Sequence, residues 1–179
     1  MPRHLVLVGL PGSGKSTVGK LVAEGLTAPL IDIDSLLIRE MGMPVAQIFG
    51  MVGEPRFRKM ERDAVLAALQ ASPAVVVPGA GWAAQPGQLD EARAIATIIY
   101  LKCTATVAAR RSEEGEVRPL LIGVDPLQRM RELLKAREPF YRLADYEVAA
   151  ESSLPAVVAE GVIRVAKSAA GWPGAVLSK

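Results

Sequence analysis

Gly9-Leu10-Pro11-Gly12-Ser13-Gly14-Lys15-Ser16-Thr17 sets the architecture of this chain. The run fits G-x-x-x-x-G-K-[ST] without a gap, the pattern of a loop that holds phosphate. Its surroundings fit as well. His4-Leu5-Val6-Leu7-Val8 precedes it, a short apolar stretch that reads as a buried parallel strand. Val18 to Leu26 follows, with apolar residues at helical spacing. Strand, glycine loop and helix are the order such a loop requires. The residue types have physical reasons. Gly12 and Gly14 let the backbone bend and approach an anion with no Cβ in the way. Successive N–H groups then form a concave nest, and the helix adds the positive end of its dipole. Lys15 supplies a cation for the outer phosphates, and Ser16 offers a hydroxyl to Mg²⁺.

Working outward, 179 residues suit one domain, and a half-hydrophobic composition allows a sizeable core. With 21 basic and 19 acidic residues the formal charge is +2, which gives no ground for a nucleic-acid or membrane partner. A single cysteine, Cys103, leaves no internal disulfide and no cysteine cluster for zinc; it reads as a buried bystander. The lone His4 reads as the edge of the first strand rather than a ligand. The N-terminal apolar run belongs to that strand and carries no cleavage signal, and no run approaches the ~18 apolar residues of a membrane span. A cytoplasmic protein is expected.

Apolar runs alternate with helical patterns, which predicts a parallel sheet with helices on both faces. Strands are expected at His4–Val8, Leu30–Ile33, Ala74–Val77, Thr97–Leu101 and Tyr146–Ala149. Helices are expected at Lys15–Leu26, Asp34–Met41, Pro44–Val52, Glu54–Ala71, Pro86–Ala94, Thr106–Arg111, Pro126–Ala144 and Pro155–Ala170. The fold class is therefore α/β, a three-layer P-loop nucleotide-binding fold with a five-stranded parallel sheet, over residues 1–170. Residues 112–118 read as a mobile lid, and 171–179 as a loosely held tail.

Four further clusters bear on the ligand. Asp32-Ile33-Asp34 closes the second strand at the carboxyl end of the sheet, where ligands bind in such folds. In an extended chain both carboxylates face one side, so one can serve a Mg²⁺ shell and the other a substrate hydroxyl. Asp34 reads equally well as a helix N-cap. Gly53-Glu54-Pro55-Arg56-Phe57-Arg58 opens a helix. Arg58 there can hold a carboxylate by a two-pronged bond, though by itself it reads as a solvated charge beside Glu54 and Glu61. Pro78-Gly79-Ala80-Gly81-Trp82 follows the third strand; its small residues let amides touch a ligand, or simply make a strand-to-helix turn. The fourth comprises Arg118-Pro119-Leu120-Leu121 and Arg137-Glu138-Pro139-Phe140-Tyr141. Arg118, at the end of the lid, is placed to meet charge developing on a moving phosphoryl group.

Together these motifs resemble the shikimate kinase family, from about Leu5 to Val158: the P-loop, D-x-D, G-E-x-x-F-R, Arg-Pro-Leu-Leu and R-x-P-[FLY]-Y. The resemblance implies ATP-dependent phosphorylation of the 3-hydroxyl of shikimate, a step of aromatic amino-acid synthesis. It implies that Lys15 and the amides of Gly12, Ser13, Gly14, Ser16 and Thr17 hold ATP, with Ser16 on Mg²⁺ and Asp32 acting through the ion's water shell. It implies that Asp34 meets the ring hydroxyls and orients or deprotonates the attacking one. Arg58 and Arg137 would clamp the substrate carboxylate beside Gly79, Ala80 and Gly81. Arg118 would close over the transferring phosphoryl, and Arg111 and Pro155 would sandwich the adenine. A monomer is expected, with ATP and a small anionic polyol as its partners.

Two features depart from the family pattern. Ala80 stands where the family usually has a third glycine, a strain of roughly 1 kcal/mol or more if its φ is positive. Glu113, Glu114 and Glu116 put three carboxylates in the lid. These departures keep two alternatives open: a kinase for another small hydroxy acid of the gluconate type, and a nucleotide-binding homologue without activity.

Overall fold

The computed structural model describes residues 1–114, 123 and 125–173. Five strands form one parallel sheet in the order β2-β3-β1-β4-β5. They are β1 (His4–Val8), β2 (Leu30–Asp32), β3 (Val75–Val77), β4 (Ala96–Lys102) and β5 (Tyr146–Ala149). The apolar runs explain their places. β1 and β3 are buried along their whole length and lie inside the sheet, whereas β2 and β5 are partly exposed and form its edges.

Eight α-helices connect them among the described residues: α1 (Lys15–Leu26), α2 (Ile33–Met41), α3 (Val45–Val52), α4 (Glu54–Gln70), α5 (Gln88–Arg93), α6 (Ala105–Glu113), α7 (Pro126–Tyr141) and α8 (Pro155–Ala169). The strand order sorts them into two layers. The crossover from β1 to β2 runs one way across the sheet, and the later crossovers run the other way. Right-handed connections therefore put α1 on one face and α4, α5 and α7 on the opposite one. Packing agrees: α8 returns to lie on α1, α4 meets α5, and α6 meets α7. The reversal of direction at β1 opens a crevice at the carboxyl ends of β1 and β3, the usual ligand position of a doubly wound sheet.

Several boundaries differ from expectation for local reasons. β2 stops at Asp32, whose carboxylate accepts the Ser35 N–H and caps α2. Ile33 is therefore helical, and Asp34 sits in the first turn of α2 rather than on an extended strand. The cap is Asp32, not Asp34. β4 runs a residue longer at each end than Thr97–Leu101. A single turn of 3₁₀-helix at Trp82–Ala84, too short to show a period, precedes α5. α6 extends through Glu113, so Ser112 and Glu113, expected in the lid, are helical. The rest of the expected lid, 115–118, lies outside the described residues. α7 ends at Tyr141 instead of Ala144, with Pro139 in its last turn. Of the expected tail, residues 171–173 are described, and Trp172 there is buried with its indole N–H donating to the Arg3 carbonyl at 2.9 Å. No helix among the described residues is long and apolar enough to cross a membrane.

His4 begins the central strand and is buried; its Nδ1 accepts the Ala74 N–H at 3.2 Å. Burial lowers its pKa below the ordinary 6.5, opposed by the carbonyls of Leu69 and Ala71. The unfolded chain therefore binds a proton in a window where the folded chain does not. Stability is full above the unfolded value and falls as the pH drops through that window. His4 is the chain's single histidine, and the buried Glu61 carboxyl, whose raised pKa acts in the opposite sense as the pH falls, is common to both proteins, so the difference between native and His4→Asn melts from about pH 7 to about pH 5.5 isolates it. The melting temperature should drop further, or rise less, across that range in the native protein than in His4→Asn, which keeps an acceptor for Ala74.

Candidate active site

The crevice holds a cavity of about 360 Å³, large enough for small-molecule ligands. One end is the glycine loop. Gly12 and Gly14 have φ values of 79° and 90°, and a Cβ on Gly12 would lie 2.4 Å from the Ala108 carbonyl of α6. The loop is thus pressed between the sheet and α6 in a shape only glycine fits. α1 begins directly after it with no side-chain cap and no acidic residue in its first turn. Its first amides and dipole consequently face the cavity ready for an anion. Lys15 is buried and folds over the loop, donating to the carbonyls of Gly9 at 2.9 Å and Leu10 at 2.8 Å. Gly12 through Thr17 line the cavity.

Ser16 Oγ donates to Asp32 Oδ2 at 2.6 Å. This couples the start of α1 to the end of β2, and both residues line the cavity. A hydroxyl beside a carboxylate is a hard oxygen pair that suits Mg²⁺, an ion usually held by one or two such groups together with substrate phosphates. The described residues contain no group of three or more His, Cys, Asp or Glu that could cage a metal alone.

Arg111 of α6 and Pro155 at the start of α8 form another wall. The Arg111 guanidinium donates to the carbonyls of Ala150 at 2.7 Å and Ser152 at 2.8 Å, so its plane is fixed by the turn that leads into α8.

The opposite end is built on the turn after β3. Gly79 and Ala80 line the cavity; Arg58 and Gly81 stand just behind that wall. A Cβ on Gly79 would lie 2.3 Å from Glu61 Oε1 and 3.3 Å from Asp34 Oδ1. A Cβ on Gly81 would lie 2.4 Å from Arg58 Nη2. These glycines answer to close approach rather than backbone conformation: a Cβ at either position would have to push aside the carboxylate of Glu61 or the guanidinium of Arg58. Ala80 is absent from the positive-φ residues, so its methyl carries none of the left-handed strain that the sequence left open. Its carbonyl accepts the Tyr141 hydroxyl at 2.6 Å. Arg137, one helical turn before Tyr141 on α7, brings its charge near the same phenol. Arg58 and Arg137, far apart in sequence, thus both act on the tyrosine whose hydroxyl reaches this turn. Arg118, expected to join them, lies outside the described residues.

Glu61 is the residue the sequence reading left as a solvated neighbour. It is fully buried, and its Oε2 accepts from Arg58 Nη1 at 2.9 Å. Burial raises its pKa, the Arg58 charge opposes this, and the Asp34 carboxylate adds to the rise. Its Oε1 has no partner among the described residues. A signal was available: Phe57, Glu61 and Val65 follow at four-residue spacing, so the glutamate interrupts the apolar stripe of α4.

Comparison with known proteins agrees with this geometry. The family model described as shikimate kinase matches residues 11–167. A shikimate kinase of Caldanaerobacter subterraneus subsp. tengcongensis is 43% identical over 162 residues, covering 90% of this chain and 95% of its own. One from Mycobacterium avium is 43% identical over 144 residues, covering 80% and 81%. The solved shikimate kinase of Acinetobacter baumannii, in complex with shikimate, superposes with a TM-score of 0.88 at 28% identity, covering 94% of each chain.

Removing the Glu61 carboxylate leaves Arg58, whose side chain is only 13% exposed, with the exposed Glu54 carboxylate at 3.5 Å as its acidic partner. Glu61→Ala should cost about 3 kcal/mol in urea unfolding, since breaking a buried pair leaves the other charge poorly compensated. Glu61→Gln, which retains an acceptor for Arg58, should cost clearly less. Equal losses in the two variants would show that the ion pair is not what holds Arg58.

Proposed function

This chain belongs to the shikimate kinase family, and from that premise we propose that it moves the terminal phosphoryl group of ATP to the 3-hydroxyl of shikimate. One observation carries the reading: an anion-binding loop and an arginine-flanked glycine turn open on the two ends of one cavity. ATP is a polyanion and shikimate a hydroxylated carboxylate, so the two ends suit two different anions held side by side. A cytoplasmic monomer is the form we carry forward from the sequence.

In the proposed mechanism the amides of Gly12, Ser13, Gly14, Ser16 and Thr17 bind the phosphates, and Lys15 exchanges its loop carbonyls for their oxygens. Arg111 and Pro155 enclose the base. Ser16, and Asp32 through the ion's water shell, would hold Mg²⁺, which would neutralise charge on the outer phosphates. Arg58 and Arg137 fix the substrate carboxylate, with the amides of Gly79, Ala80 and Gly81 beside it. Asp34 meets the attacking hydroxyl. As that oxygen bonds to phosphorus, the bond to the ADP oxygen breaks and the hydroxyl proton passes to the Asp34 carboxylate, then to solvent. Arg118 is assigned to the transferring group on the motif alone. Positioning and charge neutralisation supply most of the acceleration, since phosphoryl transfer needs little covalent help.

The unstrained Ala80 bears on the gluconate-type alternative, because the turn needs no altered shape to carry its methyl. Steady-state ADP release with Mg-ATP should show turnover with shikimate and far less with gluconate; the reverse order would overturn the substrate. Lys15→Met should abolish turnover, and undiminished activity would dismiss the assigned phosphate site. Arg58→Lys should raise KM for shikimate about ten-fold while leaving KM for ATP nearly unchanged, because a point charge cannot reproduce a two-pronged contact.

A further inference from the structure

Tyr141 closes α7 and is fully buried, with its ring 5.2 Å from that of Tyr100 at a 32° tilt. A buried tyrosine needs a partner for its hydroxyl. Many such partners are incidental carbonyls of the core, but here the partner is Ala80, in the wall of the cavity. The contact spans 61 residues of sequence at 2.6 Å, short for a neutral pair. Arg137, one helical turn earlier on α7, brings its charge beside the same phenol and lowers its pKa. A hydroxyl can donate once and accept twice, so the bond to Ala80 leaves the oxygen able to accept from Arg137.

The peptide geometry extends the consequence. In a trans peptide the C=O and the following N–H point in opposite directions. Holding the Ala80 carbonyl toward Tyr141 therefore aims the Gly81 N–H the other way and fixes the plane of the turn. We propose that Tyr141 is a positioning residue for the anionic substrate: its hydroxyl holds the Gly79–Gly81 turn against α7, the helix that carries Arg137, so that amide and guanidinium groups present one fixed surface. The proposal rests on the shikimate reading of that surface. Burial agrees with a phenol that stays protonated as a donor: it pushes the Tyr141 pKa up to about 12, against the lowering charges of Arg137 and Arg58.

Tyr141→Phe keeps the ring on Tyr100 and removes only the link. KM for shikimate should rise roughly five-fold, as expected for loss of one neutral hydrogen bond that holds the turn, while KM for ATP stays within about two-fold. A purely structural role would lower the melting temperature and leave KM for shikimate where it was, and that result overturns the proposal. A second measurement uses the native protein and so does not depend on the variant folding. With tyrosine labelled with ¹³C at Cζ, and Tyr100→Phe and Tyr146→Phe assigning the other two signals, saturating shikimate should shift the Tyr141 resonance and ATP alone should not. No shift with shikimate bound also overturns it. Failure of the underlying reading looks different: the native protein would not phosphorylate shikimate at all. Turnover by the native protein with an unchanged KM in Tyr141→Phe sinks the positioning role alone.

Discussion

Backbone packed so closely that a Cβ could enter only by moving its neighbours is the constraint on which this site depends. It operates at both ends of the cavity. Gly12 lets the phosphate loop press against the carbonyl of Ala108, and Gly79 and Gly81 let a second turn press against Glu61 and Arg58. Both turns leave adjacent inner strands, β1 and β3, at the point where the winding of the sheet reverses. The sheet thus fixes the distance between the two turns, and glycine keeps their backbones close against the neighbouring elements. Ala80 marks the limit of the requirement. Its carbonyl faces Tyr141 and its backbone is not left-handed, so a methyl is tolerated at the one position of the turn that is not pressed by a charged side chain.

The fold was legible because its signals are dense and periodic. Val75-Val76-Val77 and Leu5 to Val8 are unbroken apolar runs, which only a strand buried on both faces accommodates. What eluded the sequence was short or conditional on tertiary contact. Three residues of 3₁₀-helix have no period to detect. At Asp32 and Asp34 the extended-chain argument failed, because one carboxylate capped the helix that contained the other. Cap and ligand are written with the same residue types, and only the φ/ψ of the intervening Ile33 distinguishes them.

The site residues divide in the same way. The phosphate loop announces itself because contiguous residues do its work. The substrate end is assembled from α2, α4, α7 and the turn after β3, and no local pattern states that these meet. Arg58 in isolation reads as a surface charge. Glu61 alters that reading, since a glutamate on an apolar stripe must either be neutral or own a buried cation. Tyr141 was part of a recognised motif yet had no assigned task, for its importance lies in a carbonyl on the other side of the fold.

Burying Glu61 beside Arg58 raises the carboxyl pKa, because desolvation of the charged form outweighs the attraction of the partner, and taking two charges out of water costs stability in general. Two well-packed apolar residues would hold α4 to the turn more firmly. The charged pair instead keeps a guanidinium dehydrated, oriented and at hand beside a cavity, with only part of its donor capacity used by Glu61. A solvated arginine would have to shed water and lose side-chain freedom at the moment of binding, and much of its attraction for a carboxylate would be cancelled. In this fold those costs are met when the chain folds. The same reasoning explains Arg111, whose guanidinium is held by the carbonyls of Ala150 and Ser152 rather than by solvent. Neither arginine can move toward a ligand without abandoning these partners, so Arg111 in the cavity wall and Arg58 behind it are both held in place before anything binds.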